Sequence, residues 1–351
     1  MGAVANLIFI IVLVIIVLIF WPKISALIQL GTSVISNPQA KYNFTFPSNT
    51  ANQTGQALAY RPSINYTLML INKDRAANGL PNVTLSPIPS AQQHADSMLQ
   101  YNYFSHWDVY GMKPYMRYTL LSGRGAMQEN IAYKKSGLRA WIGTFCKSYG
   151  NVNVTAALAD LEYTLVYNDS ACCNNGHRDN ILDPDHNQVS IGIAYNSTNV
   201  YLVEDFVDSY ITWLNNTPSF SSNNIYLKGI TSQNQKLSTI EIAYDQPTAN
   251  MTQQQLNRTS EYGYGDSVAG VVGSSLDYYP GLITIVADSY YNSGNDFAVR
   301  FSMAKLIGTY GAGEYTVALW VNNTVTHSSF IGATYTVFIN SSDAAFTPKN
   351  V

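Results

Sequence analysis

Side chains able to move a proton or hold a metal ion crowd into one stretch of this chain. Four of its five histidines, His94, His106, His177 and His186, lie between His94 and Phe206. Only 12% of all residues are charged, so ionisable groups gathered in an apolar segment mark a polar cleft built by the fold. The stretches that carry them read A-x-x-H-A-D-S-M-L at 91–99, Y-F-S-H-W-D at 103–108, E-N-I-A at 129–132, G-H-R-D-N-I-L at 176–182 and S-I-G-I-A-Y at 190–195. A histidine near a carboxylate is held in one tautomer and its charged form is favoured. Two neutral imidazoles in one cleft can bind a divalent cation such as zinc, with acidic groups or waters completing the shell. The same set can serve general acid-base hydrolysis. Other chemistries leave no signature: G-x-S-x-G and H-E-x-x-H are absent, and Gly123-Arg124-Gly125 is too short for a phosphate loop.

The elements that must position these residues can be read from periodicity and punctuation. A helix is expected from about Asn65 to Asn78, with Leu68 and Ile71 on one stripe and Gly79 stopping it. A second follows Pro89, with Ser90 as N-cap, and runs through His94 and Met98 to about Tyr101. Further helices are expected over 137–149 and over 156–167, where Leu158, Leu161 and Leu165 recur at helical spacing. Alternation marks strands at 189–195 and 200–206. Helices flanking a short antiparallel sheet make an α-β-α sandwich. Within it His94, beside Ala95, reads as a helix-packing residue. His186, after Pro184 and Asp185, reads as a solvent-exposed loop residue, and Arg178 as the partner of a carboxylate.

Taken in order, the motifs resemble the CAP family, also called SCP-like or pathogenesis-related-1-like extracellular domains, over roughly residues 60–212. The ordered set carries the resemblance: A-x-x-H-A on a helix, then F-S-H, E-N-I, G-H-R-x-N-I-L, a glycine-containing strand and a closing aromatic strand. The resemblance implies a central cleft in which two histidines and two acidic residues face one another. It assigns those places to His106, His177 and Glu129. Glu162 takes the fourth place, although L-E-Y-T-L stands where the family has W-x-x-E, which leaves Asp160 and Asp169 as alternatives. Zinc or another divalent metal is then the expected cofactor, with His106 and His177 as its ligands. Members are described as ligand or sterol binders, metal binders, toxins and, rarely, proteases, so the resemblance does not decide whether the chain is an enzyme.

The rest of the chain sets the context. Residues 3–21 carry no charge, and nineteen residues at 1.5 Å rise span ~28 Å, close to the hydrocarbon thickness of a bilayer. Trp21 and Lys23 follow where an interfacial aromatic and a snorkelling base belong. The reading is an uncleaved N-terminal membrane anchor (1–23), then a Ser, Asn, Pro and Thr-rich stalk (24–60). Twelve N-x-S/T sequons, from Asn43 to Asn340, all lie beyond the anchor and favour an exported body carrying N-glycans. The three cysteines lack zinc spacing; outside the cell Cys146 can bridge to Cys172 or Cys173. Net charge of -3 excludes a nucleic-acid backbone as partner.

Residues 219–342 change texture: short alternating runs at 225–230, 237–244, 267–272, 282–289, 297–303, 315–321 and 334–339 are separated by turn residues. Seven strands at that spacing suggest an Ig-like β-sandwich, with Tyr315 placed as a tyrosine corner. The boundary is expected within 215–222, between a CAP-like domain (61–215) and the sandwich (219–345). The expected function is a membrane-anchored surface protein whose cleft binds a ligand with a divalent metal. A metal-assisted hydrolase of peptide or envelope polymer, using His106, His177 and Glu129, is the first alternative. A structural surface or filament component is the second.

Overall fold

The computed structural model describes residues 50–135, 140–142, 145–147, 152–259 and 261–340. The apolar segment 3–21 and the linker up to residue 49 lie outside them. Among the described residues no helix is long and apolar enough to cross a membrane.

The first helix, α1 (Thr50–Ala77), starts inside the expected stalk and runs through Pro62. The last part of that segment is therefore helix. Gly79, at φ +73°, ends it, and Leu80 N–H donates to the Arg75 carbonyl. A four-stranded sheet follows in the order β1 (Thr84–Leu85), β5 (Gln188–Tyr195), β6 (Asn199–Asp208), β2 (Ala126–Lys135). One face packs against α1, α4 (Val154–Tyr167) and α6 (Gly176–Ile181), with Ile71, Leu158, Leu161 and Ile181 meeting Val189, Leu202 and Phe206. On the other face α2 (Ser90–Tyr101) sets Ala91, Ala95 and Met98 against Ile131 and Val203. The expected α-β-α sandwich is what forms.

Several local readings are corrected. Residues 140–142 and 145–147 pair as the antiparallel strands β3 and β4, where a helix was expected. Trp141, Ile142 and Phe145 are strand-favouring types, and that preference wins over the weak helical spacing. Strand β2 and the helix α3 (Pro114–Leu120) were not foreseen, because all of α3 is buried and in β2 the adjacent polar residues Gln128, Glu129 and Asn130, two of them buried, break the alternation. Ser90 does not cap α2: Pro89 holds the cap position, and the Ser90 hydroxyl bonds Asp205 instead.

Strand β1 covers only two residues of β5's outer edge. Gln92 covers part of the remainder, its amide donating to Ile193 O at 2.9 Å and its carbonyl accepting from Ile193 N at 3.1 Å. Helix α2 can come this close because Gly192 lies beneath it. A Cβ there would sit 2.1 Å from Ala91 O and 2.5 Å from Gln92 N, both backbone atoms that cannot swing aside. Gly192→Ala is expected to destabilise the fold by about 1–3 kcal/mol. Urea unfolding of the two proteins checks this, and an unchanged midpoint would show that α2 is free to move outward.

The C-terminal part is β-rich. One sheet runs β12 (Ile283–Val286), β11 (Asp266–Val272), β10 (Gln235–Asp245), β15 (Gly313–Asn323), β16 (Ser329–Ile339). The other runs β13 (Ser289–Ser293), β14 (Asp296–Ser302), β9 (Asn224–Thr231), β7 (Ile211–Trp213), with β8 (Ser219–Ser221) also on β9. Their inner faces share one core that includes Ile225, Leu227, Ile240, Ile242, Phe297, Phe301, Val317 and Leu319. The run expected at 282–289 is two strands in different sheets, because the chain crosses over at Ala287 and Asp288. β11 and β12 pair in parallel, unlike the antiparallel neighbours around them. Tyr315 does make the corner: its hydroxyl donates to Gly311 O at 2.7 Å. Two short helices, α7 (Gln253–Leu256) and α8 (Ala304–Tyr310), interrupt the strands, and another, α5 (Ser170–Cys173), precedes α6 in the first part of the chain.

Candidate functional site

The site is organised by adjacent residues of β2. Successive strand residues point to opposite faces, so Glu129 and Asn130 look into different layers. They sit opposite Asp205 and Glu204 of β6, giving two polar clusters, one on each side of the sheet.

On the α2 side Glu129 is almost fully buried, at 4% exposure. One oxygen is 2.9 Å from His106 Nδ1, and the other accepts from Arg117 at 2.7 Å. Arg117 comes from α3, and its second terminal nitrogen donates to His106 O at 2.8 Å and Met112 O at 2.9 Å. His94 on α2 bonds Ser105 O at 2.8 Å, and its Nε2 lies 3.8 Å from the same Glu129 oxygen. Burial lowers the His106 imidazole to about 4, with the Arg117 charge adding to it. His94 is lowered for the same two reasons. Burial lifts Glu129 to about 7 against the pull of Arg117. Asp205 is held well above the carboxylate range by burial and then by the Glu129 charge. Burial opposes the Arg117 charge, but Glu129 and Asp108 more than offset it and keep the guanidinium protonated. Near neutral pH the cluster is a neutral histidine pair around a carboxyl that sits close to its midpoint.

On the opposite face Glu162 of α4 and Glu204 are both buried. None of their four oxygens has a hydrogen-bond partner among the described residues. His177 is in this layer. Its carbonyl accepts from Asn130 Nδ2 at 3.1 Å, and its ring binds Asp169 at 2.7 Å. Asp169 also accepts from the backbone N–H groups of His177 and Arg178, so it anchors the start of α6. Asp160 is on the surface with Lys134.

The four sequence-derived cleft residues thus separate into pairs: His106 with Glu129 on one face, Glu162 and His177 on the other. In the expected metal pair each ring is held through Nδ1 by a carboxylate, His106 by Glu129 and His177 by Asp169. Residues that sequence reasoning set aside or missed take the vacant places. His94 is drawn to Glu129 rather than serving packing alone, and Arg117, Asp205 and Tyr262 complete the cluster. His186 is not exposed but 1% accessible, held by Asp208 at 2.6 Å and Asn180 at 2.8 Å and stacked on Phe206. The 181–186 loop is pulled inward by Arg75, which donates to Ile181 O, Asp183 O and His186 O. The Arg178 guanidinium bonds Val166 O rather than a carboxylate.

The Glu129 cluster does not suit a divalent cation. Both His94 nitrogens face protein groups, His106 Nδ1 is spent on Glu129, and a buried guanidinium stands within hydrogen-bond reach of the carboxylate that would have to bind the metal. Among the described residues, one group brings three potential ligand atoms within 4.8 Å of one another: Asp169, Cys173 and His177. The Asp169 carboxyl already bonds the His177 ring at 2.7 Å there, and Cys173 is engaged. The bridge expected from Cys146 to Cys172 or Cys173 involves side chains, those of Cys146 and Cys172, outside the described set.

Access to the Glu129 cluster is narrow. A cavity of about 90 Å³ opens between α2 and the 108–110 turn, and its lining includes His94, Ser97, Asp108 and Arg117. The other approach, over His106, is crossed by the segment between β10 and β11. The Tyr262 ring lies 4.8 Å from the His106 ring, and its hydroxyl accepts from Glu129 N–H at 2.6 Å. Nothing in the sequence pattern of residues 246–265 announces this; only the fold brings them here.

The CAP family, described as the Cysteine-rich secretory protein family, matches this chain over residues 68–207. Two solved structures are similar. The first is an extracellular protein containing a SCP domain from Bacillus anthracis str. Ames, at 19% identity over 39% of this chain and 37% of that one, TM-score 0.27. The second is the CAP domain of Enterococcal PrgA, at 11% identity over 57% of this chain and 65% of that one, TM-score 0.27. The chain therefore spans less than two thirds of either. No curated protein matches it. The ordered motifs, the helix-sheet-helix layers that hold them and the family match agree on one assignment: residues 68–207 are a CAP domain.

Proposed function

We propose that this chain is a surface-displayed binding protein. In this reading residues 3–21 anchor it in a membrane, the body stands outside, and the CAP cleft centred on Glu129 takes a ligand. One observation carries it: α2, α3, β2 and the 102–109 loop deliver His94, Arg117, Glu129 and His106 to one point with a small cavity alongside. Burying that many ionisable groups costs stability unless they are put to use. The Ig-like reading of the β-rich part fits a spacer or adhesive role, and the sequons and a Cys146 disulfide fit export.

The test is a thermal-shift screen of the full chain in detergent, run in parallel on His106→Ala. A ligand at 100 times its Kd stabilises by about 2.7 kcal/mol, a shift of several degrees. The reading expects hits on the wild type that His106→Ala loses; identical hit lists would sink it. Anchoring is checked separately, by whether the chain stays with membranes under carbonate extraction.

One feature favours the hydrolase alternative. His106 is neutral at pH 7 and oriented through Nδ1 by Glu129, the arrangement of a general base. Among the described hydrogen bonds, however, no hydroxyl or thiol reaches its other nitrogen, so a water would have to be the nucleophile. Zinc on His106 and His177 would bind through their Nε2 atoms, since both Nδ1 atoms are held by carboxylates; calorimetric titration of wild type against His106→Ala/His177→Ala tests it, and matching isotherms would reject it.

A further inference from the structure

The segment covering the cleft is bound as a peptide ligand would be. Between Asp245 and Asp266 the chain leaves the β-rich part and crosses the CAP domain. Met251 N–H donates to Val109 O at 2.9 Å. Asn257 Oδ1 accepts from Phe104 N–H at 2.9 Å, Thr259 O from the Ser105 hydroxyl at 2.5 Å, and Glu261 O from the Trp107 indole at 3.0 Å. Positions 257, 259 and 261 meet 104, 105 and 107 in the same chain direction. Asn257 caps the helical turn of α7 and Thr259 N–H donates to Leu256 O, so the strap enters as a helical turn rather than as extended backbone. Side chains fill pockets between these bonds: Leu256 is fully buried with Ala91, Met98 and Ile131, and Tyr262 lies over His106 and Glu129. Polar capture of the chain together with pockets for anchoring apolar and aromatic side chains is how proteins read peptide segments.

The strap is held but not packed throughout. A cavity of about 540 Å³ lies beneath its two ends, lined among others by Trp107, Lys113, Met116, Pro247, Ala249 and Tyr264. Its outer residues Thr252, Gln253, Gln254 and Gln255 are exposed. A segment tied at both ends by polar contacts over a void can lift more cheaply than one buried in a continuous apolar seam.

We propose that the 102–109 loop and the His106–Glu129 cleft form a receptor for a peptide whose single helical turn carries an aliphatic residue, with a tyrosine six positions later, and that the segment between β10 and β11 is its built-in competitor. This rests on the cleft being a ligand site and names the class of ligand. Because the strap is tethered, its effective concentration is on the order of millimolar, so a free peptide is excluded until the strap is weakened.

The experiment uses full-length protein in detergent and a fluorescein-labelled synthetic peptide of residues 252–264, read by polarisation. Tyr262→Ala is expected to bind it at least tenfold more tightly than the wild type, and a peptide with alanine in place of its tyrosine to lose that gain. Hydrogen exchange at the Phe104 and Glu129 amides reports strap opening independently. A folded Tyr262→Ala protein whose two amides exchange faster, yet which binds the peptide no better than wild type, overturns the proposal. If that protein still binds hits from the ligand screen, only the peptide assignment falls; if it binds none, the ligand site falls with it. Should Tyr262→Ala fail to fold, Asn257→Ala removes only the bond from Phe104. It is expected to tighten peptide binding about fivefold, the equivalent of one hydrogen bond of ~1 kcal/mol, and no change there counts against the proposal in the same way.

Discussion

Arg117→Met is expected to destabilise the protein by about 3–5 kcal/mol at pH above 7, where the buried Glu129 is ionised and is left without its cation. The side chain is 5% exposed, and every bond it makes is to a buried group of the cleft. Methionine fills much of the volume, so the loss is electrostatic rather than a cavity. The His106 carbonyl also loses its donor, at about 1–3 kcal/mol for an unsatisfied group, whereas Met112 O keeps the Asp108 N–H. Lysine will not substitute. One nitrogen of the guanidinium spans two carbonyls while the other reaches Glu129, a fork that a single ammonium cannot reproduce. The double variant Arg117→Met/Glu129→Gln is expected to recover part of the loss, because no charge is then stranded. Denaturant unfolding of the two single variants and the double closes the cycle, and strict additivity would show that the pair is not coupled. The His106 imidazole supplies a second readout. With the guanidinium gone, one of the influences lowering it is removed, so its NMR titration should move upward from about 4. Ligand hits that need His106 should disappear in the same variant.

How this cluster arises explains what could be read beforehand. The helix at Leu158, Leu161 and Leu165, the Gly79 stop, strands β9, β10 and β14 and the Tyr315 corner all follow from local pattern, and all are present. These elements have one wet face, so polar and apolar residues alternate or recur visibly. β2 does not. Met127 to Ala132 is buried on both faces except at Gln128, which erases the period that marks a strand. Missing β2 meant missing that Glu129 and Asn130 diverge, and with them His106 and His177. Linear motif order shows that both histidines belong to the domain; only strand parity shows that Glu129, which bonds the His106 ring, and Asn130, which bonds the His177 carbonyl, face different layers. His94 illustrates the converse. Beside Ala95 on a helix it looks like packing, and it does pack, but the 102–109 loop returns His106 and Ser105 to its side. The strap lies beyond any local reading, since Gln, Asn and Thr over 246–265 describe an ordinary loop until another domain is placed beneath it.

Stability is expected to be greatest in mild acid and to fall as pH rises through neutrality. Burial raises Glu129 and Glu314 to about 7, and it also raises Asp205, Glu162 and Glu204. For a carboxyl raised on folding, the native state binds more protons than the unfolded chain between the two pKa values. Stability is then full below the unfolded value, near 4.3, and is lost as pH climbs through the folded one. His94 and His106 act in the opposite sense, being lowered, but only below their unfolded value near 6.5. Between about 4.3 and 6.5 the His106–Glu129 pair nearly cancels: one proton is bound whether the pair is folded or not. Above 6.5 the histidines are neutral in both states and the carboxyls alone set the slope, at most ~1.4 kcal/mol per pH unit for each group still titrating. The Glu162–Glu204 pair should weigh most, since its two carboxyls are buried together: burial and then Glu204 raise Glu162, while burial raises Glu204 against the pull of Glu162 and Asn130. One shared proton satisfies both, and losing it leaves charge facing charge in an apolar layer. Glu162→Gln supplies a permanent donor to Glu204 and removes that repulsion. Its Tm should match the wild type at pH 5 and exceed it by several degrees at pH 8. A wild-type Tm that rises from pH 5 to pH 8, or a Glu162→Gln protein that loses stability at both, would mean that these acids are solvated or paired in a way the buried geometry excludes.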